Sequence, residues 1–270
     1  MAFLSGYTKR WEVTVDATKV AATVTDYPAY VDLSDMPASF WSTVANGGGD
    51  IRVTKSDGTT EVAREVVSCD TATDTGELHF LADSVDSTTD TVFYIYANGT
   101  SSEPAFTASN GRNAVWTAYD FISHAGGGGT DSTGNGHSYT ANGGVTSGGG
   151  TGKIGASTVY DGSNDYFSYG DVMDYTGHSV VYVSAWARRN GTQPDFWAFI
   201  SKQNGSSDSD QWEIRGANST VKYKPVMQII DSFTSKTSSN TLGGSVEMND
   251  ATWYLFHGQA KTSDDKVSLY

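Results

Sequence analysis

Short runs of alternating apolar and polar residues, each closed by a cluster of Gly, Asp, Asn, Ser or Thr, recur along this chain. Trp11, Val13 and Val15 alternate with Glu12, Thr14 and Asp16, the period of a strand with one buried face. Strands of that kind follow at Tyr27–Leu33, Asp50–Lys55, Glu61–Cys69, Glu77–Ala82 and Thr91–Ala97. Ser56-Asp57-Gly58 reads as a hairpin turn between two of them. Met36–Ala45 reads as a helical turn, with Phe40, Trp41 and Val44 on one side. Thirty glycines, five prolines and 12% aromatic residues suit many short strands joined by turns. The pattern predicts an all-β chain, with six or seven strands before Asn98 forming a small sandwich.

At 270 residues the chain has room for two domains. Asn98–Asn110 is small, polar and carries Pro104, so the boundary is expected there. The expected division is a β-sandwich domain over residues 1–100, a short linker over 101–110 and a second β-domain over 111–270. In the second half, strands are expected at Ala114–Phe121, Val180–Ala187, Phe196–Lys202, Gln211–Arg215, Val221–Ile230 and Ala251–Ala260. The Gly-rich stretch Ala125–Gly152 reads as a long surface loop with a short strand near Tyr139. Within Lys153–Tyr169, two short strand-like runs flank Asp161-Gly162-Ser163-Asn164, which predicts a hairpin or a tight strand corner. Lys266–Tyr270 reads as a strand cut short, so the domain is expected to continue beyond it.

The net charge of −14 weighs against a nucleic-acid partner, since counterion release needs clustered Lys and Arg. One cysteine, Cys69, leaves no internal disulfide and no Cys-based zinc site. No window reaches the ~20 apolar residues of a membrane span. Met1–Trp11 holds no apolar core long enough for a signal peptide.

Residues 8–100 resemble a domain-of-unknown-function family found in microbial surface proteins and phage proteins. The resemblance is carried by Trp11–Asp16, Tyr27–Val31, Gly49–Thr54, Asp57–Thr60 and Phe93–Asn98. The second half resembles the concanavalin A-like, laminin-G-like jelly roll. Its marks are Asp131–Gly136, Gly152–Ala156, Tyr160–Tyr166, Val183–Trp186 and Thr252–Tyr254. The first resemblance implies architecture and company rather than chemistry. The second implies a sandwich whose last strands are missing from this chain.

Two kinds of site follow. The jelly-roll resemblance brings the loops holding Asp120, Asp131, Asn135, Asp161 and Asp165 toward one edge, where oxygen ligands would suit calcium. Asp131 and Asp161 are the first choices, and plain turn formation is the competing account of the same residues. Trp197, Trp212, Tyr223 and Trp253 are available to stack on sugar faces, although aromatics on alternating strands also fill cores. The chain shows no Glu-x-Asp-x-x-Glu strand, no His-Glu-x-x-His and no Gly-x-Ser-x-Gly, and its five histidines are scattered. The expectation is a non-enzymatic virion structural and adhesion protein: a phage head fibre, tail fibre or capsid decoration that binds host-surface glycans and other virion proteins. It would have no membrane span and would be a candidate homo-oligomer, though without a coiled-coil heptad. The alternatives are a bacterial or archaeal cell-surface adhesin and a carbohydrate-binding accessory module of an enzyme.

Overall fold

The computed structural model describes residues 2–124, 128–174, 180–193, 197–202, 211–216, 223–230, 242–243, 247–261 and 266–269. The chain is all-β and its sheets are antiparallel. It forms two compact units, residues 1–161 with 165–167 and residues 162–164 with 168–270.

In the first unit, β1 (Arg10–Val15), β2 (Val24–Asp32), β3 (Arg52–Lys55), β4 (Glu61–Val62), β5 (Arg64–Asp70), β6 (Thr75–Val85) and β7 (Thr91–Tyr96) form two sheets, ordered β1-β7-β3-β4 and β2-β6-β5. Alternation decides which side chains meet. Val53, Phe93 and Ile95 from one sheet share an apolar core with Leu78, Phe80 and Ala82 from the other. A short helical turn, α1 (Ala38–Trp41), adds Phe40 and Trp41 to that core, within the stretch expected to be helical. The expected hairpin joins β3 to β4, and Asp57 accepts from the backbone N–H groups of Thr59 and Thr60, each at 2.8 Å.

Beyond β7 the structure departs from the sequence reading. Residues 98–110 belong to the first unit, as do residues 111–161, so the units divide near residues 162–168. Asp50 is fully buried, and its carboxylate accepts from the N–H groups of Asn98 (2.9 Å), Gly99 (2.6 Å) and Ala45 (3.0 Å). Ala114–Phe121 is no strand. α2 (Arg112–Val115) overlaps its start, and Val115 and the C-cap Trp116 pack with Ala63. Four alternating residues fit either geometry, and the apolar contact selects the helical turn.

The corner within Lys153–Tyr169 is a corner, not a hairpin. β8 (Thr140–Asn142), β9 (Thr146–Thr151), β10 (Ala156–Val159) and β11 (Tyr166–Ser168) pair as β10 with β9 and β11 with β8. β8 supplies the short strand expected near Tyr139.

In the second unit, β12 (Val180–Ala187), β13 (Ala198–Lys202), β14 (Gln211–Gly216), β15 (Pro225–Ile230), β16 (Leu242–Gly243), β17 (Tyr254–Lys261) and β18 (Lys266–Leu269) make two sheets, β12-β17-β18 and β13-β14-β15-β16. They share a core of Val183, Trp212, Ile214, Met227, Phe256, Ala260 and Val267, with Met248. Most strands expected in this half are present. Phe196, residues 221–222 and Tyr270 fall outside the described residues. Among the described residues, no helix is long and apolar enough to cross a membrane.

Candidate functional site

β6 sends Leu78, Phe80 and Ala82 into the core, so Glu77, His79 and Leu81 must face the other way. Register places Tyr30 of β2 and Glu65 of β5 opposite His79, and Asp32 opposite Glu77. Such a polar row would ordinarily meet water. Here Glu65, Glu77 and His79 are all buried, because the segment after α2 covers them. Trp116, packed beside Ala63, Leu81 and Ile122, donates its indole N–H to Glu65 Oε2 at 2.6 Å. Ser132 donates its hydroxyl to Glu65 Oε1 at 2.6 Å.

His124 sits between the two carboxylates. Its Nε2 lies 3.1 Å from Glu65 Oε2 and its Nδ1 3.3 Å from Glu77 Oε1. His79 Nε2 approaches the same Glu77 oxygen at 2.9 Å. The two imidazole rings are 4.8 Å apart, and Trp116 lies against both. Carboxylates only accept when ionised, so both His124 nitrogens donate and the ring is an imidazolium. Burial acts to lower the His124 pKa, but the hydrogen bonds and charges of Glu65 and Glu77 outweigh it and push it up to about 9. Burial likewise acts to raise Glu77, yet His124 and His79 bring it down to about 2. Glu65 is lowered too, its desolvation overcome by His124, Ser132 and Trp116.

The chemistry of this cluster is therefore that of anchored anions. Neither glutamate is held protonated, so neither is poised as the acid of a glycosidase pair. Ser132 donates to Glu65 rather than to an imidazole, which is not the bonding of an activated nucleophile. Glu77, His79 and His124 each offer a ligand atom, all within 4.8 Å of one another, and they are the one such set of three among the described residues. A recess of about 350 Å³ reaches Glu65, His124 and Ser132, with Arg112, Phe106 and Glu103 also on its walls.

Two loops hold the cluster shut. Asp131 is buried, and its carboxylate accepts from the N–H groups of Thr133 (2.9 Å) and His137 (3.0 Å) and from the Thr133 hydroxyl (2.8 Å). With the Ser123–Asp131 bridge, this sets the loop that delivers His124 and Ser132. Gly155 approaches from elsewhere. A Cβ there would lie 2.3 Å from Glu77 Oε2, and its φ of +53° suits glycine. Gly155→Ala should lower stability by about 1–3 kcal/mol, read from the urea midpoint at unchanged m. A loss below ~0.5 kcal/mol, the scatter of surface substitutions, would mean that the loop does not close on Glu77.

The residues singled out in the sequence fall elsewhere. Asn135 donates its side-chain amide to the Asp120 backbone carbonyl at 2.9 Å, so Asp120, Asp131 and Asn135 share one loop. Asp165 accepts from the Asp161 N–H at 3.0 Å in the strand corner. Among the described residues, these aspartates do not assemble a set of three ligand atoms. Trp212 is only 4% exposed and belongs to the core of the second unit. Trp197 is half-buried, edge-on to Phe199. Arg189 lies over one face of the Tyr223 ring at 4.2 Å and Arg188 over one face of Trp253 at 5.2 Å.

Two other features stand out in the structure and were not singled out in the sequence. One is the buried cluster. The other is the outer face of β12–β17, where Tyr182, Ser184 and Trp186 stand opposite Gln259, His257 and Leu255. Tyr182 is 63% exposed and Trp186 39%. Alternation within Val180–Ala187 marks these two aromatics as outward. Glu77-x-His79 in an alternating run was the visible half of the cluster. Nothing local ties His124 to it.

Compared with known proteins, the chain matches no family model, no curated protein and no solved structure.

Proposed function

We propose that this chain is a non-catalytic structural and adhesive β-module, and that it holds neutral glycan on the outer face of β12–β17. The observation that carries the reading is the exposed face itself. Two aromatic rings four residues apart on β12 are separated by roughly 13 Å of strand, enough to stack on separate rings of one sugar chain. Between and beside them stand the neutral hydrogen-bonding groups Ser184 and Gln259, with His257 opposite Ser184. Gln259 donates to the Tyr182 hydroxyl at 3.0 Å, which fixes the ring before any ligand arrives. Aromatic stacking with uncharged polar neighbours fits carbohydrate better than an acidic or basic partner.

The setting on a phage virion, as a fibre or capsid decoration, rests on the resemblance of residues 8–100. The second unit is read as a concanavalin A-like jelly roll on the same footing. The test is a glycan array followed by calorimetric titration with the best oligosaccharide. Trp186→Ala and Tyr182→Ala should each abolish binding while changing stability by no more than ~0.5 kcal/mol, because both side chains are exposed. Retained binding in both variants, or an array with no hits, would sink the reading.

A further inference from the structure

We propose that Glu77, His79 and His124 form a binding site for one divalent transition-metal ion of the zinc class. Two imidazoles and one carboxylate are a donor set that such ions favour, and one that calcium and magnesium do not. Two of the three ligand-atom spacings also come close to what such an ion requires. Ligand atoms around a tetrahedral ion with bonds of 2.0–2.1 Å stand about 3.3 Å apart. His124 Nδ1 is 3.3 Å from Glu77 Oε1 and His79 Nε2 is 2.9 Å from it, and all three ligand atoms lie within 4.8 Å of one another, so binding one ion would draw the widest pair together by up to about 1.5 Å.

The groups behind the site are those that a ligating histidine requires. Glu65 Oε2 takes the Nε2 side of His124, which leaves Nδ1 directed at Glu77 and His79. A carboxylate in that position fixes the tautomer and raises the basicity of the ring. Glu65 is itself held by Ser132 and Trp116, so it cannot swing away. The recess reaches one of the three ligands, His124, together with Glu65 behind it.

A simple buried ion pair accounts for part of this arrangement and leaves part unexplained. His124 alone would neutralise a carboxylate. It does not require a second imidazole aimed at the same Glu77 oxygen. In the metal-bound form the ion takes the place of the proton on His124 Nδ1, which leaves to solvent, and His79 binds through an unprotonated Nε2. The ion would pin the covering segment to β6, because two ligands come from the strand and the third from that segment.

The experiment is calorimetric titration of the chelator-treated full chain with zinc, paired with thermal unfolding and with the visible spectrum of the cobalt-loaded chain. We expect one zinc per chain, a rise in Tm with zinc, and a cobalt spectrum of a four-coordinate nitrogen–oxygen site. His79→Gln should lose the zinc-dependent rise in Tm while leaving the Glu65–His124–Glu77 chain intact. Glu65→Gln should weaken zinc about 10–100-fold. No binding by the unsubstituted chain overturns the proposal, as does a cobalt spectrum of the hydrated ion. Equal binding by His79→Gln also overturns it, by placing zinc on other histidines. The cobalt spectrum needs no variant, so the test stands even if a substituted chain fails to fold.

Discussion

Arg64→Met should destabilise the first unit by about 1.5–3 kcal/mol, more than a surface substitution on it. Arg64 is completely buried. Its Nε donates to the Ile51 carbonyl at 2.9 Å and one terminal nitrogen to the Gly49 carbonyl at 3.0 Å. The other terminal nitrogen pairs with Glu103. Methionine keeps the apolar stem and removes all three interactions. Glu103 is partly exposed and can turn to water, so its freed charge costs little. The two carbonyls also accept from Arg52 Nη1, at 2.9 Å for Gly49 and 2.7 Å for Ile51, so neither is stranded and the loss is that of the buried charged hydrogen bonds themselves. Burial lowers the Arg64 pKa, opposed by Glu103. The measurement is the urea midpoint of Arg64→Met against Glu103→Gln, which keeps an acceptor for the guanidinium. Glu103→Gln should lose clearly less. Equal losses would show that the ion pair, not the carbonyl contacts, holds the site.

Arg64 also explains why the sequence misplaced the domain boundary. Gly, Ser, Asn and Pro in residues 98–110 report local backbone preference, and that preference is turn-like. What fixes the segment is distant: Asp50 caps its first N–H groups and Arg64 holds Glu103. Neither partner is recognisable from composition. The strands were legible because a half-buried sheet writes its burial into every second residue, as in β1 and β12. Tyr182 and Trp186 could have been found the same way, by asking which side of Val180–Ala187 faces outward. Trp212 and Trp186 are the same residue type on alternating strands, and only the packing of the second sheet separates core from surface. Glu77 and His79 were visible as a polar pair on a strand. Their burial depends on α2, which the sequence reading made a strand, and on His124, which lies in a Gly-rich loop with no period at all.

Stability of the metal-free chain should peak between about pH 4.5 and pH 6.5, and His124→Ala should remove the alkaline side of that peak. The groups that face His124 are Glu65 from β5 and Glu77 with His79 from β6, with Ser132 and Trp116 bonded to Glu65. Tyr30 from β2 stands beyond His79, its own pKa pushed up to about 12 by burial and nearby carboxylates. The folded pKa of His124, about 9, lies above its ordinary 6.5. Its contribution is therefore whole below pH 6.5 and is lost as pH rises through 9. The folded pKa of Glu77, about 2, lies below its ordinary 4.5. Its contribution is whole above pH 4.5 and is lost as pH falls toward 2. Within the window His124→Ala should cost about 3–5 kcal/mol, because two ionised carboxylates would then face each other in a buried site without their cation. Urea midpoints taken below, within and above the window, in chelator, test both statements. An alkaline slope that survives in His124→Ala would assign it to another group. A flat profile in the unsubstituted chain would mean that water reaches Glu65 and Glu77 and screens the bridge that now joins the covering segment to the sheet.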